Sequence, residues 1–172
     1  MSRVYTPPGK NSQKHYLITG ASGGLGSALA LQAAAPGLQL SLWGRDLERL
    51  AEVKRLCHVK GSAVKTTGLD LREYAMCRDK LRELYAERPV DMAILNAGVS
   101  SGFSPDGSFE TAEDACRTME VNSTAAINMA ATLLECMKAR GSGHIVFISS
   151  IAGLYPLPSS PAYSASKASL AY

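Results

Sequence analysis

The stretch HYLITGASGGLG, residues 15–26, joins a short β-rich apolar run to a glycine-rich turn and then to a helical pattern. HYLIT (15–19) predicts a strand, and LGSALALQAAA (25–35) predicts a helix that Pro36 and Gly37 end. Glycine permits a sharp strand-to-helix turn and lets a phosphate approach the backbone, while the helix directs its N-terminal amides at that phosphate. A plain flexible turn is the alternative for a glycine-rich stretch taken alone.

The alternation of strand and helix patterns continues along the rest of the chain. Further strands are predicted at 38–43, 62–69, 90–96 and 144–149, and further helices at 46–57, 72–87, 110–139 and 162–172. Strands separated by helices indicate βαβ units with right-handed crossovers. The fold class predicted is therefore α/β, with a doubly wound, Rossmann-type parallel sheet and helices on both faces. One domain is expected over 15–172, after a flexible lead-in over 1–14.

Composition and charge exclude several classes of function. The chain is 46% hydrophobic and 19% charged, and no apolar run approaches the roughly 18 residues of a membrane span. Its first residues lack the apolar core of a secretory signal. Arg3, Lys10 and Lys14 account for the net charge of +3, because the remaining Lys and Arg equal the Asp and Glu in number. A nucleic-acid-binding surface is therefore not indicated.

The cysteine pattern favours a reducing compartment. Cys57, Cys77, Cys116 and Cys136 form neither a CxxC pair nor a metal-type spacing, so no metal site is predicted. Reduced thiols in a cytoplasmic protein are expected, with the cysteines acting as small hydrophobic residues on helices.

Tyr163 and Lys167 stand four positions apart in AYSASKASLAY (162–172), so a helix would place them on one face. An ammonium close to a phenol stabilises the phenolate and lowers a phenol's pKa from about 10. The pair would suit general acid–base chemistry near neutral pH. An exposed tyrosine beside a solvated lysine is the alternative. Ser150 argues against it, because it ends a predicted strand thirteen residues before the tyrosine, where this fold binds ligands.

Five motifs, in this order, resemble those of the short-chain dehydrogenase/reductase family in its single-domain branch. They are TGASGGLG (19–26), NAG (96–98), VN (121–122), the serine of FISS (147–150) and YSASK (163–167). The resemblance extends from His15 to Tyr172. It implies an oxidoreductase that transfers a hydride between a nicotinamide cofactor and a small-molecule carbonyl or alcohol substrate.

The resemblance implies a role for each catalytic candidate. Tyr163 would donate a proton to the substrate oxygen while Ser150 hydrogen-bonds that oxygen, and Lys167 would hold the nicotinamide ribose. Ser149 would be a structural neighbour, since the spacing to the tyrosine selects Ser150. Asn122 would support a water-mediated proton relay to the lysine, although an exposed helical asparagine is the alternative.

The other matching residues are predicted to bind the cofactor. The glycine turn would contribute Gly20, Ser22, Gly23, Gly24, Leu25 and Gly26. The ends of the third and fourth strands would contribute Asp70, Leu71, Asn96, Ala97 and Gly98. Asp70 could equally be a helix N-cap.

The end of the second strand, LSLWGRD, favours NADP over NAD. Gly44 occupies the place where NAD enzymes of this fold carry an acid that binds the ribose 2′-hydroxyl. Arg45 can bind a 2′-phosphate through charge-assisted hydrogen bonds. A solvated Arg45 followed by Asp46 as a helix N-cap is the alternative. Family members that bind NADP often carry a second basic residue in the glycine turn, where this chain has Gly23.

The resemblance also implies further strands, a substrate loop and another helix after residue 172, so the chain is expected to be a fragment of a longer enzyme. Assembly into a homodimer or homotetramer is implied for the full-length form. Two hypotheses follow: an NADP-dependent oxidoreductase that is active when complete, or a non-catalytic nucleotide-binding or partner-binding fragment.

The substrate itself is not predicted. The loops at 100–108 and 151–161 would shape its pocket. Leu154, Tyr155 and Leu157 could form an apolar wall of that pocket or pack as ordinary loop residues.

Overall fold

The computed structural model describes residues 14–100 and 110–171. Within these ranges the strands are β1 (His15–Thr19), β2 (Gln39–Gly44), β3 (Ala63–Gly68), β4 (Met92–Leu95) and β5 (His144–Phe147). The helices are α1 (Gly24–Ala33), α2 (Leu47–Val59), α3 (Tyr74–Glu87), α4 (Ala112–Met119), α5 (Ala125–Arg140) and α6 (Pro161–Ala168). A π-helical turn (Glu120–Thr124) joins α4 to α5, and a 3₁₀ turn (Ile151–Gly153) follows β5.

Two sequence predictions fall on parts of the chain that are not described. The expected lead-in over 1–14 lies outside the described residues except for Lys14, and the loop predicted at 100–108 lies outside them except for Ser100. The division into a lead-in and one domain therefore stays a prediction.

The sheet is parallel throughout, with the strand order β3-β2-β1-β4-β5. β1 pairs with β2, His15 opposite Gln39, and on its other side with β4, Tyr16 opposite Met92. The chain thus runs outward from β1 through β2 to β3 and then crosses back to β4 on the other side of β1. β5 lies next to β4 at the edge of the described sheet. Such a reversal opens a crevice at the carboxyl ends of β1 and β4. The predicted Rossmann-type α/β fold is confirmed.

Neighbouring side chains on each strand pack into different helical layers. Leu17 belongs to a core built with α3 and α5, whereas Ile18 belongs to a core built with α1 and α2. Both side chains are fully buried. A strand that is covered on both faces does not alternate between apolar and polar residues. This explains continuous apolar runs such as YLI in β1. The two layers hold the carboxyl ends of the strands in place around the crevice.

Polar caps and one glycine set several helix boundaries. Asp46 caps α2 by accepting a hydrogen bond from the Arg49 amide, and Thr111 caps α4 in the same way. α5 ends at Gly141, whose φ of 81° lies in the left-handed region. Most predicted bounds agree with the observed ones to within two residues. The exceptions are the pattern at 110–139, which the π-helical turn divides, and the pattern at 162–172, whose described part stops being helical after Ala168.

Two further observations concern the described residues as a whole. None of their helices is both long and apolar enough to cross a membrane. The four cysteines, all of which lie in the described ranges, are unpaired, and Cys57 and Cys77 are buried in the two cores.

Candidate active site

A cleft of about 610 Å³ lies at the carboxyl edge of the sheet. It extends from the end of β2, across the glycine turn, to the first residues after β5. Every predicted site residue lines it except Asn122. Those lining it are Gly20, Ser22, Gly23, Gly24, Leu25, Gly26, Arg45, Asp70, Leu71, Asn96, Ala97, Gly98, Ser150, Tyr163 and Lys167. The topology thus gathers side chains that the sequence spreads over almost 150 positions.

The glycine turn is packed tightly at its two ends. Gly20 has φ 66°, and a Cβ there would lie 2.8 Å from the Ala97 Cα. A Cβ on Gly26 would lie only 2.2 Å from the Gly20 carbonyl oxygen. These two positions therefore require glycine because the chain crosses itself there.

The middle of the turn is open and fits an anionic group. A Cβ on Gly24 would meet no atom within 4 Å, so the space in front of the start of α1 is free. The first turn of α1 has no acidic residue. Exposed amides at a helix N-terminus attract a phosphate. The residues present therefore fit the diphosphate of a nicotinamide dinucleotide.

The segment after β4 is fastened to the end of β1. The Thr19 hydroxyl accepts hydrogen bonds from the amides of Asn96 and Ala97, both at 3.0 Å. The Asn96 side chain donates to the Thr19 carbonyl at 3.0 Å. A Cβ on Gly98 would lie 3.3 Å from Asn122 Oδ1 and 3.5 Å from Lys167 Nζ. This segment therefore joins the cofactor half of the cleft to the catalytic candidates.

Asp70 does not cap a helix, because the N-cap residue of α3 is Glu73. Arg72 binds the Asp70 carboxylate instead, with its Nη2 2.7 Å from Oδ2 and its Nε bonded to both oxygens. The Arg72 side chain holds the pKa of that carboxyl below its usual value. An ionised, oriented carboxylate beside Leu71 can accept a hydrogen bond from a base edge.

Arg45 lines the cleft directly after β2 and is exposed, and Asp46 caps α2. The predicted N-cap is thus observed, and a phosphate-binding Arg45 stays a prediction. A Cβ on Gly44 would lie 2.8 Å from Ser22 Oγ, so a side chain at this position would require the serine hydroxyl to move. β2 therefore ends without an acid, and Asp46, the acid that follows it in the cleft lining, serves as the N-cap of α2.

α6 carries Tyr163 and Lys167 one turn apart, as predicted. Lys167 is buried, and its Nζ lies 5.7 Å from the centre of the Tyr163 ring and donates to the Ile148 carbonyl at 2.7 Å. Burial lowers the pKa of the Lys167 ammonium. The side chain is therefore fixed at the edge of the cleft rather than solvated.

The two serines after β5 have different surroundings. The Ser149 hydroxyl donates to the Lys167 carbonyl at 2.8 Å, which ties α6 to the end of β5. The Ser150 hydroxyl accepts from the Ala152 amide at 3.2 Å, at the start of the 3₁₀ turn. Both residues line the cleft. Ser149 is thus a structural neighbour of the lysine, as predicted, and Ser150 is the serine that does not bind α6.

Asn122 lies behind the cleft, inside the π-helical turn, and its side chain is fully buried. Its Oδ1 accepts from the Val99 amide at 2.7 Å, and its Nδ2 donates to the Val99 carbonyl and to Ser166 Oγ. The alternative of an exposed helical asparagine is therefore wrong. Asn122 connects the segment after β4 to the helix that carries Tyr163 and Lys167.

The apolar loop residues after Ser150 differ in exposure. Leu154 and Tyr155 are each 71% exposed and Leu157 is 43% exposed, and none of them lines the cleft. Leu157 is thus less exposed than the other two residues, and both a substrate wall and ordinary loop packing stay predictions for these residues.

Two functional candidates escaped the sequence analysis. Arg49 lines the cleft from the first turn of α2, and its position four residues after Arg45 was the available signal. Glu110 accepts a hydrogen bond from the Ala162 amide at 3.0 Å, at the start of α6. No sequence pattern predicts this contact, since the two residues are 52 positions apart.

Comparisons with known proteins agree with this geometry. A family model described as short chain dehydrogenase matches residues 14–172. An uncharacterized oxidoreductase of Mycobacterium tuberculosis is 36% identical over 161 residues, which cover 91% of this chain and 63% of that protein. The chain thus spans less than two thirds of the length of this curated relative.

Two solved structures superpose closely on the chain. An NAD⁺-bound xylitol dehydrogenase has a TM-score of 0.85 at 26% identity, covering 94% of this chain and 62% of that one. A metagenomic short-chain oxidoreductase in complex with NADP has the same TM-score at 29% identity, covering 94% of this chain and 73% of that one.

Proposed function

The chain belongs to the short-chain dehydrogenase family, and from that premise we propose that it forms the cofactor-binding and catalytic part of an NADP(H)-dependent oxidoreductase acting on a carbonyl or alcohol substrate. The main supporting observation is that Ser150, Tyr163 and Lys167 line the same cleft as the glycine turn. A bound nicotinamide would supply or accept the hydride. The residues of this chain would orient the substrate and move the proton.

Tyr163 is the proposed acid or base at the substrate oxygen, and Ser150 the proposed hydrogen-bond donor to it. Lys167 supports this role because its ammonium lies 5.7 Å from the centre of the Tyr163 ring and is buried from water. Electrostatic interactions are stronger where water is excluded, so the buried lysine is placed to interact with the ring that carries the proposed acid or base. Proton transfer between Tyr163 and the substrate oxygen is the acid–base step that we propose.

Asn122 would act by fixing the position of the helix that carries Tyr163 and Lys167. Both hydrogens of its amide are used, one by the Val99 carbonyl and one by Ser166. Ser166 in turn donates to the Tyr163 carbonyl at 2.7 Å. The amide therefore supports the backbone of the catalytic helix, and a water-mediated relay to Lys167 stays a prediction.

NADP(H) is proposed over NAD(H) on the residues at the end of β2. The two solved structures hold different cofactors at equal TM-scores, so the similarity in fold favours neither NADP(H) nor NAD(H). Arg45 supplies a cation beside the cleft, and Gly44 stands where NAD enzymes of this fold carry an acid. A cytoplasmic location and assembly into a homodimer or homotetramer stay predictions.

A second candidate function is nucleotide or partner binding without turnover. Beyond Ser150 the described residues form no closed wall, because Ile151, Leu154 and Tyr155 are each 71% exposed. β5 is moreover an edge strand of the described sheet. A chain with a complete nucleotide site and an open substrate side would bind a dinucleotide yet convert nothing.

One pair of measurements tests both candidates. Fluorescence titration with NADPH and NADH measures cofactor binding, and NADPH consumption with a panel of aldehydes and ketones measures turnover. We expect Tyr163→Phe to abolish turnover, because the proton donor is lost, and to leave NADPH affinity unchanged. Tyr16→Phe removes the same hydroxyl from β1, outside the cleft, and should change neither. Near-normal turnover by Tyr163→Phe would overturn the assignment, whereas binding without turnover by the unaltered chain would favour the second candidate.

A further inference from the structure

Two arginines border the end of the cleft next to the carboxyl end of β2. Arg45 precedes the N-cap of α2, and Arg49 lies in the first turn of that helix. Both line the cleft together with Ser22 of the glycine turn. The Arg49 side chain is 74% exposed, so its guanidinium is accessible from the cleft and from solvent. Two cationic groups from one short segment therefore face the same opening.

The surroundings of the two arginines contain no unpaired acid from the end of β2. Ser22 Oγ occupies the space over Gly44, where a Cβ would lie 2.8 Å away. The Asp70 carboxylate, which also lines the cleft, is bound by Arg72 at 2.7 Å. The glycine turn itself supplies no cation, since Gly23 and Gly24 carry no side chains. An anion at this end of the cleft must find its positive partners on α2 and just before it.

Asp46 holds the Arg49 side chain in place. One carboxylate oxygen accepts from the Arg49 amide at 3.0 Å, and the other lies 3.4 Å from Arg49 Nε. The pair uses the Nε side of the guanidinium. Among the described residues, the two Nη groups form no hydrogen bond with another side chain. An arginine fork has five N–H donors, so an oxyanion can bind the Nη groups while Asp46 keeps Nε.

We propose that Arg49 is the second cation for the 2′-phosphate of NADP(H), acting together with Arg45, with Asp46 as the group that orients it. The proposal rests on the proposed function, because it concerns the same cofactor. A phosphate monoester dianion carries more charge than one guanidinium neutralises, and two guanidinium groups bind it through charge-assisted hydrogen bonds. The exposed Asp46–Arg49 pair contributes little stability by itself, so a phosphate can share Arg49 at small cost.

The test is a binding titration that needs no substrate. NADPH, NADH, adenosine 2′,5′-bisphosphate and adenosine 5′-monophosphate are titrated into the unaltered chain and into Arg49→Ala. We expect Arg49→Ala to weaken NADPH and the bisphosphate about tenfold, as the loss of one charged contact does. NADH and the monophosphate should change less than about twofold, since neither carries a 2′-phosphate. Added salt should reduce NADPH affinity more in the unaltered chain than in the variant.

Two further variants separate this inference from the proposed function. Arg55→Ala removes another exposed arginine of α2, paired with Glu52 and outside the cleft, and should leave all four affinities unchanged. Arg45→Asp should weaken NADPH relative to NADH if the proposed cofactor is right. Unchanged NADPH affinity in Arg49→Ala, or an equal loss for NADH and the monophosphate, would overturn the role of Arg49 alone. Failure of the unaltered chain to bind either dinucleotide would instead contradict the proposed function.

Discussion

At the scale of single residues, the glycines of the turn have two different physical functions. Gly26 is buried, and a Cβ there would lie 2.2 Å from the Gly20 carbonyl and 2.7 Å from Asn96 Nδ2. Gly24 is exposed, and a Cβ there would point into open space. Gly26 therefore allows the fold to close on itself, whereas Gly24 keeps the space in front of α1 free for a ligand.

Alanine substitutions should separate these two functions. Gly26→Ala should destabilise the chain by about 2–3 kcal/mol, because the methyl group forces the turn away from the segment after β4. Gly24→Ala should leave the free energy of unfolding unchanged or raise it by about 0.5–1 kcal/mol, since alanine favours a helix more than glycine does. Its NADPH affinity should nevertheless fall. Denaturant unfolding and NADPH titration measure the two quantities.

The opposite pattern would contradict the assignment of the two glycines. If Gly24→Ala bound NADPH normally, the open space before α1 would not be the phosphate site. If Gly26→Ala were as stable as the unaltered chain, the close approach to the Gly20 carbonyl would have relaxed at no cost.

At the scale of elements, the π-helical turn decides how the long helical segment serves the site. It lies between α4 and α5 and contains Asn122, which is fully buried. An ordinary α-helix would continue the ladder of α4 without the extra residue, which changes the direction of the side chains that follow. The hydrogen bonds of Asn122 to Val99 and Ser166 offset the disfavoured geometry. The turn thus fastens α6 to the segment after β4.

Two asparagines of this segment form a matched pair for a stability test. Asn122→Ala should lower the free energy of unfolding by about 2–4 kcal/mol, because buried partners at Val99 and Ser166 lose their hydrogen bonds. Asn128→Ala in α5 should change it by less than about 1 kcal/mol or stabilise the chain, because within the described residues the buried Asn128 Oδ1 has no hydrogen-bond partner. Urea denaturation of both variants measures the difference. Equal losses would mean that the bonds of Asn122 contribute nothing beyond packing.

At the scale of the whole molecule, a polar cluster fastens the end of the sheet opposite the cleft. His15 is fully buried at the start of β1, with Nδ1 3.1 Å from the Arg88 carbonyl and Nε2 2.8 Å from Ser41 Oγ. A carbonyl only accepts, so Nδ1 carries the proton and neutral Nε2 accepts from the hydroxyl. The Asp91 carboxylate accepts from the His15 amide and from Arg140. The cluster joins β1, β2, the loop before β4 and α5.

Stability should therefore fall in mild acid. Burial lowers the pKa of His15 below its usual value of 6.5. The unfolded chain then takes up the proton first, so the stabilisation is complete above about pH 6.5 and is lost as the pH falls through the lowered value. Burial would raise the pKa of Asp91, but Arg140 and the His15 amide together lower it. Asp91 thus adds a further loss below about pH 4.

Unfolding free energies measured between pH 7.5 and about 5 test this expectation. His15→Gln should be less stable near neutral pH and show a weaker dependence on pH in that range, because the group that titrates has been removed. His58→Gln changes an exposed histidine of α2 and should keep the dependence of the unaltered chain. An identical pH dependence in His15→Gln would assign the effect to other groups.

Much of the fold could be predicted from the sequence, because the order and type of elements follow from local patterns. Apolar runs of five or six residues, glycine-rich turns and helical spacing placed β1, α1 and β2 to within two residues. The strand order β3-β2-β1-β4-β5 was not predicted, because local patterns do not show which strands pair. The π-helical turn was not predictable, because its cause is the burial of Asn122 against residues distant in the sequence.

The candidate site was predictable to the extent that its chemistry lies in short motifs. The pitch of a helix is enough to predict that Tyr163 and Lys167 share a face. The sequence spacing to Tyr163 is enough to select Ser150. Arg49 and Glu110 carry no motif, and their positions at the cleft and at the start of α6 depend on how helices cross the sheet. The structural role of Ser149 was predicted, but its partner was not, because that partner is a main-chain carbonyl eighteen positions away.

The sequence by itself determined the parallel α/β architecture, the glycine turn and the residues that carry the proposed chemistry. Only the tertiary structure decided that Lys167 is buried on the Ile148 carbonyl, that Asn122 lies behind the cleft and that Arg49 borders it. The physical reason is the range of the forces concerned. Backbone preferences and side-chain periodicity act over a few residues, whereas burial and hydrogen-bond partners are set only when distant segments pack together.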